Sequence, residues 1–231
     1  MKPPPMPGES SPFNSRTLPS ADVEPPGRDA QGVGVYRTLE PLVLASSSPR
    51  RRQLLESVGL RFEVKPSHCD EPWVPGQEPE SQVRTWASRK AAEVSRLNPA
   101  SWVLGADTIV VLEGVVFGKP GDSREAADTL RKLSNRGHRV ISAVCLLHEG
   151  YGQAHIRSVE TEVWFKRLEE EEIRAYVRTG EPMDKAGAYG IQGVGAFLVR
   201  AVRGSYTNVV GLPLCETLEL LAQQKVIVPA A

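Results

Sequence analysis

The chain has 231 residues, between one and two typical domains, and can bury roughly two-thirds to three-quarters of its unfolded surface. With 28 basic and 28 acidic side chains the formal net charge is zero, which excludes whole-molecule attraction to nucleic acid or an anionic membrane, so an anionic ligand has to be held locally. Cys69, Cys145 and Cys215 stand far apart with no CxxC pair, against a disulfide framework or zinc cluster and for a reducing, cytoplasmic setting, and no apolar run approaches the roughly 20 residues of a membrane helix.

Residues 1–37 hold 8 of the 19 prolines, few apolar side chains and balanced charge, a composition that cannot offset the entropy of ordering, so a disordered tail is expected ahead of one domain over 38–231. The tail has neither the apolar core of a secretory signal nor the Arg-rich, acid-poor helix of a transit peptide. From Pro41 onward short β-branched runs alternate with helical patterns, the mark of an α/β domain. A strand over 42–45 runs into Ser46-Ser47-Ser48-Pro49-Arg50-Arg51-Arg52, where Ser48 can cap a helix that Pro49 starts and Gly59 stops. A strand over 62–65 follows, and then a helix over 81–98 whose apolar stripe of Val83, Trp86, Ala87, Ala91 and Val94 includes Lys90.

A buried strand over 102–104 leads into Gly105-Ala106-Asp107-Thr108, and 109–112 with 115–117 form a hairpin around Glu113-Gly114, which embeds Asp107 in sheet. Asp122 and Glu125 spell a capping box for a helix ending near Ser134. Long strands over 139–148 and 154–165 pair antiparallel, a helix over 169–178 closes at Gly180, and a strand over 196–202 precedes a last helix from Pro213 to about Gln224.

Four segments could carry chemistry, and each has an ordinary alternative. Hydroxyls, helix N–H groups and guanidinium groups at 46–52 make an anion site suited to phosphate, or simply a capped surface helix with solvated charge. Asp107 is a carboxylate in a strand, where burial without a partner costs several kcal/mol; it could hold a divalent metal or take a proton from water, or it could cap a turn. Lys90 and Lys119 are single cations that could equally snorkel to solvent, and Glu71 could be a solvated loop acid. The segment 180–195 is rich in glycine but has the spacing of neither a Rossmann nor a Walker loop; Gln192 within it carries the donor and acceptor needed to read a base edge, or sits in a wide loop. No G-x-S-x-G occurs, and His68, His138, His148 and His155 lack metal spacing, which disfavours acyl transfer and zinc hydrolysis.

Jointly, Leu44-Ala45-Ser46-Ser47-Ser48-Pro49-Arg50-Arg51, Gly105-Ala106-Asp107-Thr108, Gly118-Lys119-Pro120 and the run from Glu181 to Gly193 resemble the Maf family of nucleoside triphosphate pyrophosphatases over roughly residues 41–224. The resemblance implies a single α/β domain with an elongated, mixed, twisted sheet flanked by helices, a cleft between two lobes, and a homodimer. It implies cleavage between the α- and β-phosphates with a divalent cation, Mg, Mn or Co. By position it implies Asp107 as proton acceptor, with Ser46, Arg50, Arg51, Glu71, Lys90, Lys119 and Gln192 around the substrate and Glu71 with Asp107 on the metal. Arg50, Thr108 and Gln192 resemble the branch that takes dTTP and UTP rather than 7-methylguanosine triphosphate, and an amide at 192 suits the O4 and N3–H edge of a pyrimidine. Rival readings are a non-catalytic nucleotide-binding regulator of cell division, and a phosphomonoesterase with Asp107 as nucleophile; the latter needs a second aspartate where Ile109 stands.

Overall fold

The computed structural model describes residues 34–74 and 76–230. The described residues form one compact unit, and most of the expected tail, 1–33, lies outside them. The expected boundary at 37 is corrected, because β1 (Tyr36–Thr38) already pairs antiparallel with β9 (Ile227–Pro229).

The main sheet runs β3 (Glu63–Val64), β2 (Leu42–Leu44), β4 (Trp102–Leu112), β6 (Gly137–His148), β7 (Gln153–Phe165), β8 (Val199–Arg203), with β5 (Val115–Phe117) also on β4. β2 is parallel to β3 and β4 and the other pairings are antiparallel, so the sheet is mixed as expected. The strand expected over 196–202 is displaced: residues 193–198 form a 3-10 segment and β8 begins at Val199, because Glu181 gathers the amides of Val194 and Gly195 before any ladder can form.

A change of partner along β4 positions the site. The strand's partner on one side changes from β2, opposite 102–104, to β5, opposite 110–112, leaving 105–109 without a strand on that edge. β6 meanwhile pairs along the whole of 103–111 on the other side. Arg51 of α1 (Pro49–Ser57) reaches into the opening with its side chain, since a backbone carbonyl stranded there needs a donor from elsewhere.

Helices cover both faces. α2 (Pro79–Arg96) lies on one face, with Val83, Ala87, Ala91 and Val94 against Val103, Ile109 and Ala143. Its approach requires Gly105, where a Cβ would stand 2.3 Å from the Ala87 carbonyl oxygen. α1 and α6 (Leu214–Gln223) pack Leu55, Leu220 and Leu221 against Leu44, Leu104 and Leu146 on the opposite face. α3 (Ser123–Leu133) and α4 (Glu170–Arg178) close a further core around Leu130, Ile173 and Tyr189 at the far end. The short α5 (Tyr206–Val210) lies against β6 and β7, with Asn208 bonded to the Val140 carbonyl.

In that far core His138 is 2 % exposed, with Nε2 2.8 Å from the Tyr189 hydroxyl and its ring edge-on to Phe165. Burial lowers its pKa from 6.5 to about 4. The neutral ring is tolerated and the cation is not, so its contribution is complete above the unfolded value and is lost as pH falls from 6.5 through 4. The loss amounts to about 3 kcal/mol at one unit per 1.4 kcal/mol. His138→Gln is expected to flatten the decline of melting temperature between pH 6.5 and 4; an unchanged slope would assign it to other groups.

Candidate active site

Asp107 projects from the middle of the β4 opening and is 6 % exposed. Lys90, on the α2 face that meets the sheet, places Nζ 2.6 Å from Asp107 Oδ1 and 2.5 Å from Glu71 Oε1. One ammonium thus holds together a buried carboxylate and a half-exposed one from the loop after β3. Burial pushes the Asp107 carboxyl above its ordinary value, opposed by Lys90 and Arg51 and reinforced by Glu71. The turn from strand to helix does the rest: Ser46 accepts from the Ser48 amide at 3.3 Å, and α1 starts with no acidic residue in its first turn.

A cavity of about 1010 Å³ opens over this centre. Ser46, Arg50 and Arg51 line it from the α1 side, and Glu71, Lys90 and Asp107 from the α2 side. Thr108, Lys119 and Gln192 complete it, so every residue expected from the sequence borders one space.

Their situations differ. Arg51 is buried and spends its donors inside the protein: Nε on the Gly211 carbonyl at 2.8 Å, Nη1 on the Ala106 carbonyl at 2.8 Å and Ser46 Oγ at 3.1 Å, Nη2 on Thr108 Oγ1 at 3.2 Å. The Ala106 carbonyl is the one stranded by the opening in β4. Thr108 Oγ1 lies 2.8 Å from Ser142 Oγ as well, so its hydroxyl is already engaged. Arg50 is about a quarter exposed and among the described residues pairs with Asp184, at 2.9 Å. Lys119 and Gln192 are exposed, and their side chains have no hydrogen bond or ion pair among the described residues.

Among the described residues no helix is long and apolar enough to cross a membrane. The Maf-like protein family model matches residues 41–224, from the residue before β2 to the end of α6. The chain belongs to the Maf family. It is 48 % identical over 193 residues, 84 % of this chain and 99 % of the relative, to a protein of Desulfotalea psychrophila named dTTP/UTP pyrophosphatase. Proteins of the same name from Syntrophus aciditrophicus, 48 % identical over 79 % of this chain and 89 % of theirs, and from Halalkalibacterium halodurans, 46 % identical over 79 % and 95 %, are similarly close.

The β1–β9 pair of this Maf protein falls outside the matched span. Inside it, the structure adds residues that the sequence offered only as part of a motif. Glu181 accepts from the Tyr176 hydroxyl and the Gly195 amide, both at 2.9 Å, and from the Val194 amide at 3.0 Å, bending the glycine-rich loop so that Gln192 stands at its turn. The Gly187 amide donates to the Gly118 carbonyl at 3.0 Å, which brings this loop beside Lys119. Gly187 can do this at φ 71° where a Cβ would strike Val110. Asp184 holds Arg50 and also Lys185, the latter at 2.6 Å. The signal for Glu181 and Asp184 was acid within a glycine-rich run.

A divalent cation fits the donor set without being dictated by it. Glu71 and Asp107 supply two hard carboxylates, as Mg²⁺ sites do when phosphate oxygens and water complete the shell. No group of three or more His, Cys, Asp or Glu side chains that could hold a metal ion occurs among the described residues.

Proposed function

We propose that this Maf protein hydrolyses dTTP and UTP to the nucleoside monophosphate and pyrophosphate, with Glu71 and Asp107 holding a divalent cation, Mg, Mn or Co. The observation that carries the reading is the buried Asp107 bonded to Lys90 beneath a cavity bordered by cations from four separate stretches of a neutral chain. The names of relatives matched over nearly their whole length support the same substrates.

In the reaction water attacks the α-phosphorus, the bond from that phosphorus to the α,β-bridging oxygen breaks, and pyrophosphate leaves. Asp107 accepts the proton of the water, a task favoured by a carboxyl whose affinity for protons burial has raised. Lys90 and Lys119 neutralise charge on the phosphate oxygens, and the start of α1 offers N–H groups to them. Gln192 bonds O4 and N3–H of the pyrimidine, and Arg50 stands where it can leave Asp184 for an anionic oxygen. A bound divalent cation would supply further neutralisation of the triphosphate.

The test is turnover of a triphosphate panel with the products identified, and one arm in chelator. Expected are pyrophosphate and monophosphate from dTTP and UTP, at kcat/KM at least about tenfold above purine triphosphates. Orthophosphate and a diphosphate as first products, or binding without turnover, would overturn the proposal.

A further inference from the structure

Gln82, Trp86, Lys90 and Glu93 are spaced by four, four and three residues, which places them along one side of α2. The loop that bears Glu71 lies along this row in the reverse direction. Glu93 Oε2 accepts from the His68 and Cys69 amides at 3.1 and 3.0 Å and from the Ser67 hydroxyl. Lys90 then takes Glu71, the Trp73 ring sits edge-on to Trp86 at 6.3 Å, and Gln82 Oε1 accepts from the Val74 amide at 3.1 Å. Residues 67–74 contain no helix or strand, so these side-chain contacts, rather than a backbone ladder, fix their course.

Glu71 itself is half-exposed, and a single ion pair at such a site does little to fix a loop. The order has to come from its neighbours. Gln82 is buried, and Glu93 is the only side chain of the row that takes three donors of the loop. The Ser67 hydroxyl and the two amides hold the Glu93 carboxyl below its ordinary value, so it stays an acceptor through neutral pH.

We infer that Glu93 is a positioning residue: by collecting residues 67–69 it sets where Glu71 stands against Lys90 and Asp107, and so shapes the carboxylate pair that would take the cation. This rests on the site reading given above. Sequence alone conceals it, since an acid three residues after a lysine on a long helix resembles an ordinary solvated charge.

The experiment compares wild type, Glu93→Ala and Glu93→Gln by three measurements. Hydrogen exchange of the 66–74 segment reports the loop, Mn²⁺ titration of substrate-free protein reports the carboxylate pair, and kcat and KM for dTTP report the reaction. Expected in Glu93→Ala are faster exchange in 66–74, with Mn²⁺ affinity and kcat each lower by about tenfold and KM little changed. Glu93→Gln, which keeps an acceptor oxygen, falls between, and serves as the deciding variant if Glu93→Ala does not fold. Unchanged exchange overturns the inference, and so does a freed loop that leaves both Mn²⁺ affinity and kcat at wild-type values. If wild type fails to cleave dTTP the proposed function falls, while exchange and Mn²⁺ binding still decide the role of Glu93.

Discussion

The Asp107→Asn variant is expected to lose about 10²–10⁴-fold in kcat for dTTP while melting at or above the wild-type temperature in metal-free buffer near pH 7. The amide has nearly the shape of the carboxyl but carries no charge, so it removes the proton acceptor together with one of the two anionic groups proposed to hold the cation. The stability half follows from burial. In the folded protein the Asp107 carboxyl is raised above its ordinary value of 3.8. Such an acid contributes most when protonated: its stabilisation is present below the unfolded value and is lost as pH rises through the folded one. An asparagine stays neutral and escapes that loss, and Lys90 keeps Glu71 as its partner. The gap between variant and wild type is therefore expected to open in favour of the variant as pH rises from about 4 to 7. Calorimetry across that range checks it, and a variant less stable than wild type at pH 7 would show that Lys90 and Arg51 outweigh burial. Retained turnover would move the base elsewhere. A site that weakens the fold where it performs its chemistry is the usual trade between stability and activity.

What could be read from the chain depended on whether the signal was local. Pro49, the Asp122 cap and apolar spacing located α1, α3 and the β6–β7 pair to within a few residues, because they act over a single turn or a two-residue period; Ser48 stands at the start of α1 as expected, but its side chain makes no capping hydrogen bond. Asp107 stood out because a carboxylate amid β-branched residues is costly, and Lys90 because it sat on an apolar stripe. The opening in β4 was not legible. It arises where one strand exchanges partners from β2 to β5, a matter of long-range pairing, and the strand itself was expected in two pieces. β1, β9 and α5 are too short to show a period. The run Val194 to Val199 has strand-like side chains, yet Glu181 fixes most of it as 3-10 structure through bonds thirteen and fourteen residues away. The three consecutive arginines looked alike and are not: Arg50 meets Asp184, Arg51 is buried, and Arg52 pairs with Glu56 on the surface.

That difference yields the second large effect. Arg51→Met is expected to cost about 3–5 kcal/mol of folding stability, from hydrogen bonds to a charged group worth about 1.5–3 kcal/mol each but not additive, and from buried acceptors left bare. Against a total of roughly 5–15 kcal/mol this is a large fraction. The guanidinium joins four places that no ladder connects: Ser46 before α1, Ala106 and Thr108 on either side of Asp107, and Gly211 after α5. Without it the Ala106 carbonyl faces the gap between β2 and β5 unpaired. Arg51→Lys would not restore the arrangement, since one ammonium cannot reach four acceptors set out for a planar fork. Arg50→Met, one residue earlier, removes a partly exposed pair worth at most about 1 kcal/mol and is expected to raise KM for dTTP with little change in stability. Urea unfolding of the two variants beside their KM values separates the roles. Were Arg51→Met to unfold at the wild-type midpoint and change only KM, Arg51 would belong with the substrate phosphates, and the opening in β4 would need another donor to hold it.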